Sequence, residues 1–169
     1  HETGFAAADA NLFLGRPWVI VPGVNGGGAA ALVERLATSC GARPVILEAE
    51  LHDAATAAVS HLPLLVAAAL VETVALGDAA DAPDGWKISH LLASTGWLSA
   101  TRLARGSEAM GADILATNAR EVRRRLKTLR LVLEQWDARL AAAENDPVIG
   151  RVDLEKRLAA ARAVLTENE

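Results

Sequence analysis

Two polar clusters interrupt strongly apolar, helix-forming sequence: Ser60-His61-Leu62-Pro63 and, about forty residues on, Gly96-Trp97-Leu98-Ser99-Ala100-Thr101-Arg102. A histidine beside a hydroxyl can exchange hydrogen bonds with a ligand, and a guanidinium can hold a carboxylate through two parallel bonds. The two clusters read as opposite walls of one anion-binding pocket. Arg102 is expected at the start of a helix, where backbone donors are free and the dipole favours an anion; a surface ion pair is the alternative. His61 is either a polar notch aimed at a ligand or a satisfied core histidine. His52-Asp53 begins the same helix two to three turns earlier, as part of that notch or as first-turn polar residues.

Other chemistries fit less well. Ser60 directly precedes His61, and neighbours on a helix do not face each other; no Gly-x-Ser-x-Gly elbow occurs either, so a hydrolase is disfavoured. His52 and His61 are nine residues apart, which sends them to opposite sides of a helix, and His90 lies on another segment, so no metal is expected. The basic run Arg120, Arg123, Arg124, Arg125, Lys127 and Arg130 reads as a solvated helix face. Glu121 stands four residues before Arg125, and no aromatic platform for bases is interleaved. A net charge of −4 gives no reason to expect nucleic acid or an anionic membrane as partner. The apolar stretch Leu62 to Leu70 holds nine residues, short of the ~20 of a bilayer-spanning helix. The single Cys40 cannot form an internal disulfide and reads as a small buried hydrophobe in a reduced, cytoplasmic setting.

The elements that must position these residues follow from periodicity and punctuation. With 51% hydrophobic residues in 169, one core of useful size is within reach. Gly4 to Leu14 can form a short helix, and Arg16 to Pro22 reads as a buried strand. A glycine-rich turn leads into a helix over Ala29 to Cys40 that Gly41 ends, and Arg43 to Leu47 is a second strand. This βαβ unit needs a larger sheet, because two parallel strands cannot bury both faces or satisfy both edges.

From Glu48 onward every segment reads as helix. Glu50 to about Leu76 is a long central helix with Pro63 as a kink, and Gly77 to Gly85 is the clearest loop. Short helices are expected over Trp86 to Thr95 and Ser99 to Ala104, on either side of Gly96, with another over Ser107 to Thr117. Asn118 to Glu144 carries the sharpest seam, Val122, Leu126, Leu129, Leu133, Trp136 and Leu140, which suits packing against another long helix. Asp146-Pro147 breaks it, and Val152 to Leu165 forms the last helix.

These residues together resemble a family. His52-Asp53, Ser60-His61-Leu62-Pro63, Leu92-Ala93-Ser94-Thr95-Gly96-Trp97, Thr101-Arg102 and Asn118 look like the carboxy-terminal part of prephenate and arogenate dehydrogenases. Gly4 to Ala8, Leu12-Phe13 and Trp18 to Pro22 are similar to the end of that family's nucleotide-binding domain. The resemblance runs in order to about Leu140.

It implies a mainly α chain. Residues 1–47 would be the βαβ tail of a Rossmann-type domain. Residues 48–169 would be an all-helical substrate-closing and dimerisation domain, of the 6-phosphogluconate dehydrogenase C-terminal-like type. The implied activity is oxidative decarboxylation of prephenate or arogenate in tyrosine biosynthesis, with NAD or NADP bound mainly by an amino-terminal domain. Arg102 matches the arginine that binds a substrate carboxylate, and Ser60 and His61 open the Ser-His-Leu-Pro-His motif. Gly96 and Thr101 match pocket-shaping positions. His1 is not the family's catalytic histidine, which stands farther upstream, so a piece of an enzyme, inert alone, is expected, with no catalytic residue in the chain.

Leu64 replaces the motif's second histidine, Ser99-Ala100 replace an acidic residue, and Gly111 stands where some members are aromatic. Leu64 and the stretch Gly106 to Gly111 look like the arogenate-type branch. A stand-alone helical self-association module is the alternative. Lys87 and Lys127, at a loop edge and on a basic face, argue against the hydroxyacid dehydrogenases, which need a lysine in an apolar helix.

Overall fold

The computed structural model describes residues 8–24, 26–75 and 85–167. The chain forms two compact units, His1–Val122 and Arg123–Glu169. The first opens with strand β1 (Pro17–Ile20), helix α1 (Gly27–Ser39) and strand β2 (Arg43–Ile46). The strands pair in parallel, Pro17 opposite Arg43 and Ile20 opposite Ile46, with a helix between them as parallel pairing requires. Gly41 makes the turn out of α1 at φ +76°, a left-handed conformation that suits glycine; a Cβ there would also lie 2.7 Å from Leu14 Cδ1.

Among the described residues this sheet has only its two strands. β1 is shorter than expected and not buried throughout: Ile20 is buried and Trp18 half-buried, while Val19 and, on β2, Ile46 stay exposed, no further strand or helix covering their faces among the described residues. Residues 8–14 do not form the expected helix. Asp9 Oδ1 accepts from the Asn11 N–H at 2.9 Å, and a short side-chain acceptor of this kind favours turns over helix. Residues 4–7 lie outside the described residues. Cys40 caps α1 and is half-buried instead of buried.

The central helix is interrupted in an unexpected manner. Helix α2 (Ala49–Thr56) passes into a π-helical turn (Ala57–His61) and then helix α3 (Leu62–Ala75). Pro63 lacks an N–H, and its ring would press on the carbonyl four residues back. One extra residue in the preceding turn, where the Leu62 N–H reaches back to Ala57 O, relieves this. Together these segments form a 27-residue helix, Ala49–Ala75, long and apolar enough to cross a membrane by length and composition. Its most apolar window has mean hydropathy 1.9 and is only 11% buried. The unbroken apolar run was too strict a measure of this helix, because scattered polar residues do not lower its average much.

Helices α4 (Gly85–Leu92) and α5 (Thr95–Ala100), a 3₁₀ turn (Arg102–Arg105) and helix α6 (Glu108–Thr117) follow. Of the expected loop over Gly77 to Gly85, residues 77–84 lie outside the described residues, and Gly85 begins α4. Gly96 does not separate two helices; it is the second residue of α5, and Lys87 lies within α4. Ser107 caps α6, its hydroxyl accepting from the Met110 N–H.

Helix α7 (Ala119–Asn145) and helix α8 (Pro147–Thr166) supply the second unit. Asp146 Oδ1 accepts from the N–H groups of Val148 (3.1 Å) and Ile149 (3.0 Å), with Pro147 in the first helical position. The Asp-Pro step is thus also a start signal, and α8 begins five residues before the expected Val152. Gly150 is buried against Ala143, Arg139 pairs with Asp153 at 2.9 Å, and Arg157 stacks over Trp136 at 4.7 Å. In this unit Leu133 and Leu140 of the seam remain more than half exposed, as do Leu158 and Leu165 of α8.

Candidate functional site

α3 packs on the 3₁₀ turn that carries Arg102. A cavity of about 310 Å³ lies there, lined among others by Ser60, Leu64, Arg102, Arg105, Gly111 and Ile114. Ser60 and Arg102, forty-two positions apart, therefore face one space. The π turn carries Ser60 itself, and its extra residue rotates the side chains after it, Leu64 among them, by about 100° relative to α2. In a 3₁₀ turn residues three apart eclipse, so Arg102 and Arg105 stand one above the other on the cavity wall. Among the described residues no hydrogen bond or ion pair engages either guanidinium, and no acidic side chain lines the cavity. Arg105 escaped the sequence reading; its signal was the three-residue spacing within Thr101-Arg102-Leu103-Ala104-Arg105.

Arg102 is the first residue of the 3₁₀ turn, which Thr101 precedes without a side-chain cap. The Thr101 N–H donates to Trp97 O at 2.9 Å and the Ala104 N–H to Thr101 O at 3.1 Å, so the turn follows directly on α5 instead of opening a separate α-helix. The positive charge of this wall is carried by the Arg102 and Arg105 side chains. Thr101 is 2% exposed, and its hydroxyl donates to Trp97 O at 2.8 Å, which locks the junction before Arg102. It lines a neighbouring cavity of about 420 Å³ with Trp86, His90, Trp97 and Arg105.

Gly96 lines neither cavity, and a Cβ there would meet open space. Gly96→Ala is expected to stabilise the protein by about 0.5 kcal/mol through helix propensity, with ligand affinity unchanged. Thermal melts with and without ligand measure both quantities.

His61 is half-buried at the end of the π turn and does not line the 310 Å³ cavity, although its neighbour Ser60 does. The ring is tied to Asn118, whose Nδ2 lies 3.2 Å from His61 Nδ1 and donates to Asp53 O at 2.8 Å. His52 Nδ1 meets Asp53 Oδ1 at 3.0 Å, a pair facing solvent. Among the described residues no three His, Cys, Asp or Glu side chains converge as metal ligands. Leu64 and Gly111, two departures from the family pattern, adjoin in space: a Cβ on Gly111 would lie 3.7 Å from Leu64 Cδ2.

Residues 48–151 match the model of the prephenate dehydrogenase dimerization domain, a span from just before α2 into α8. The chain belongs to the prephenate dehydrogenase family. The prephenate dehydrogenase of Bacillus subtilis is 30% identical over 146 residues, covering 82% of this chain and 38% of its own length. The probable prephenate dehydrogenase NovF of Streptomyces niveus is 49% identical over 76 residues, 41% of this chain and 21% of its own. Synechocystis arogenate dehydrogenase superposes with a TM-score of 0.70 at 25% identity, over 90% of this chain and 54% of that one. Prephenate dehydrogenase from A. aeolicus, solved with hydroxyphenyl propionate and NAD+, superposes with a TM-score of 0.78 at 23% identity, over 98% and 55%. The chain thus spans about half the length of these solved relatives. Its fold is the family's helical dimerisation domain together with a βαβ piece of the Rossmann-type domain.

Proposed function

We propose that this chain is the substrate-closing and dimer-forming part of a dehydrogenase that oxidatively decarboxylates prephenate or arogenate with NAD or NADP. The carrying observation is the cavity where Ser60 faces two stacked, unengaged arginines, Arg102 and Arg105. Both substrates carry two carboxylates, and Arg102 takes one of them in a bidentate pair. Ser60 contacts the substrate from the opposite wall, His61, beside it but outside the cavity lining, is assigned to the same contact, and Thr101 holds the arginine's turn in place. A bound nicotinamide would supply the acceptor for the hydride of the ring carbon that bears the hydroxyl, the ring becoming aromatic with loss of carbon dioxide. No described residue is assigned to the cofactor; this chain's part is to fix the substrate's position.

The reading divides the protein near residues 47/48, with β1 and β2 continuing into a larger nucleotide-binding sheet. The exposed faces of those strands support this. A second copy covers the exposed seam of α7 and the apolar helix Ala49–Ala75, so that protein and not lipid is its environment. The polar notch at Ser60-His61 and the Asn118 contact support that choice. The protein works in the cytoplasm, with no nucleic-acid or membrane partner. The test is an assay of the intact protein with prephenate and arogenate, each with NAD and NADP. Reduced cofactor with an aromatic product is expected for at least one pair, and none with all four would sink the proposal.

A further inference from the structure

We infer that Asn118 fixes His61 as the tautomer protonated on Nε2, and so makes Nε2 a hydrogen-bond donor. The backbone oxygen of Asp53 can only accept, so the Asn118 atom 2.8 Å from it is the amide nitrogen and not the amide oxygen. That NH₂ carries two hydrogens. One goes to Asp53 O, and the other faces His61 Nδ1 at 3.2 Å. A ring nitrogen that meets a donor must present its lone pair, and a neutral imidazole with a bare Nδ1 carries its proton on Nε2. No hydrogen bond among the described residues engages Nε2.

Asn118 is held firmly enough to do this. It sits between two helices, its N–H donating to Ile114 O in α6 and its carbonyl accepting from the Val122 N–H in α7. It spans 65 positions to Asp53 and 57 to His61, bracing the π turn from α2 to its last residue. Asn118 is therefore a positioning residue that acts through His61. An Nε2–H matches a keto or carboxylate oxygen and offers no lone pair to an ammonium. Of the two substrates, the keto acid prephenate suits such a donor, whereas the ammonium of arogenate must find another partner. This last step rests on reading His61 as a substrate contact; the tautomer does not.

The experiment is ¹⁵N NMR of the imidazoles in the intact protein, in alkaline buffer where histidines are neutral, with His61 identified by the signal lost in His61→Gln. A pyrrole-type Nε2 and a pyridine-type Nδ1 are expected. An Nδ1–H ring, or an even mixture, overturns the inference. Asn118→Ala is expected to bring the second tautomer into the spectrum and to raise KM for prephenate about fivefold, with a smaller effect on arogenate. If the tautomer changes and KM does not, the positioning role is overturned. If neither substrate is oxidised by the parent protein, the functional reading fails, and the NMR result still decides the tautomer.

Discussion

Arg102→Ala raises KM for the substrate about 10- to 100-fold, with the helical content and melting temperature of the protein unchanged. The magnitude follows from the ~1.5–3 kcal/mol of a charge-assisted hydrogen bond, tenfold for each 1.4 kcal/mol. Stability is spared because the guanidinium is exposed and unengaged, so its loss strands no partner. Arg105, eclipsed with Arg102 on the same turn, keeps one positive charge at the cavity and holds the loss toward the lower end. Arg102→Lys should recover only part of the affinity, since an ammonium restores the charge but not the planar fork. Steady-state kinetics with prephenate and arogenate check this, and an unchanged KM for both would remove Arg102 from the site.

Gly150→Ala is expected to destabilise the second unit by about 1–2 kcal/mol, against the usual direction for an alanine in a helix. Propensity alone favours alanine over glycine by about 1 kcal/mol. Here a Cβ would press into Ala143 Cβ and lie 2.5 Å from Ala143 Cα, an atom of the α7 backbone that cannot rotate away. The helices must separate, at the ~1–3 kcal/mol typical of overpacking, and the Arg139–Asp153 pair and the Arg157–Trp136 stack loosen with them. Urea unfolding reads the difference, and Gly150→Leu should be worse. The opposite sign expected for Gly96→Ala, where the space is open, separates close packing from propensity. A stabilised Gly150→Ala would mean that the hairpin packs more loosely than this geometry.

Much of the fold was legible because it is local. The strand-helix-strand order, the start of α6 at Ser107 and the length of α7 follow from capping, periodicity and breakers within a few residues. Local signals also misled. Asp146-Pro147 does stop α7 at Asn145, but the same aspartate also caps the next helix, so α8 starts before the expected Val152. Gly96 reads as a break, yet a glycine near the amino end of α5 costs that helix little. The exposure of β1 was not readable, because burial depends on what lies across the sheet. The exposed Leu133 and Leu140 are a similar case: their spacing announces an apolar seam without naming its cover.

The sequence by itself determined the family, the helical order, the disruption at Pro63 and the identity of Ser60, His61, Thr101 and Arg102 as residues to watch. These are carried by residue types and spacings that each act over one or two helical turns. Only the tertiary structure decided that the disruption takes the form of a π turn and that Ser60 shares a cavity with Arg102. It also decided that Arg105 joins them, that Leu64 abuts Gly111, and that Asn118 reaches back to Asp53 and His61. Apart from the π turn, each of these joins residues dozens of positions apart. Such contacts exist only once packing has overcome the entropy of closing the intervening chain, and no local pattern encodes their geometry.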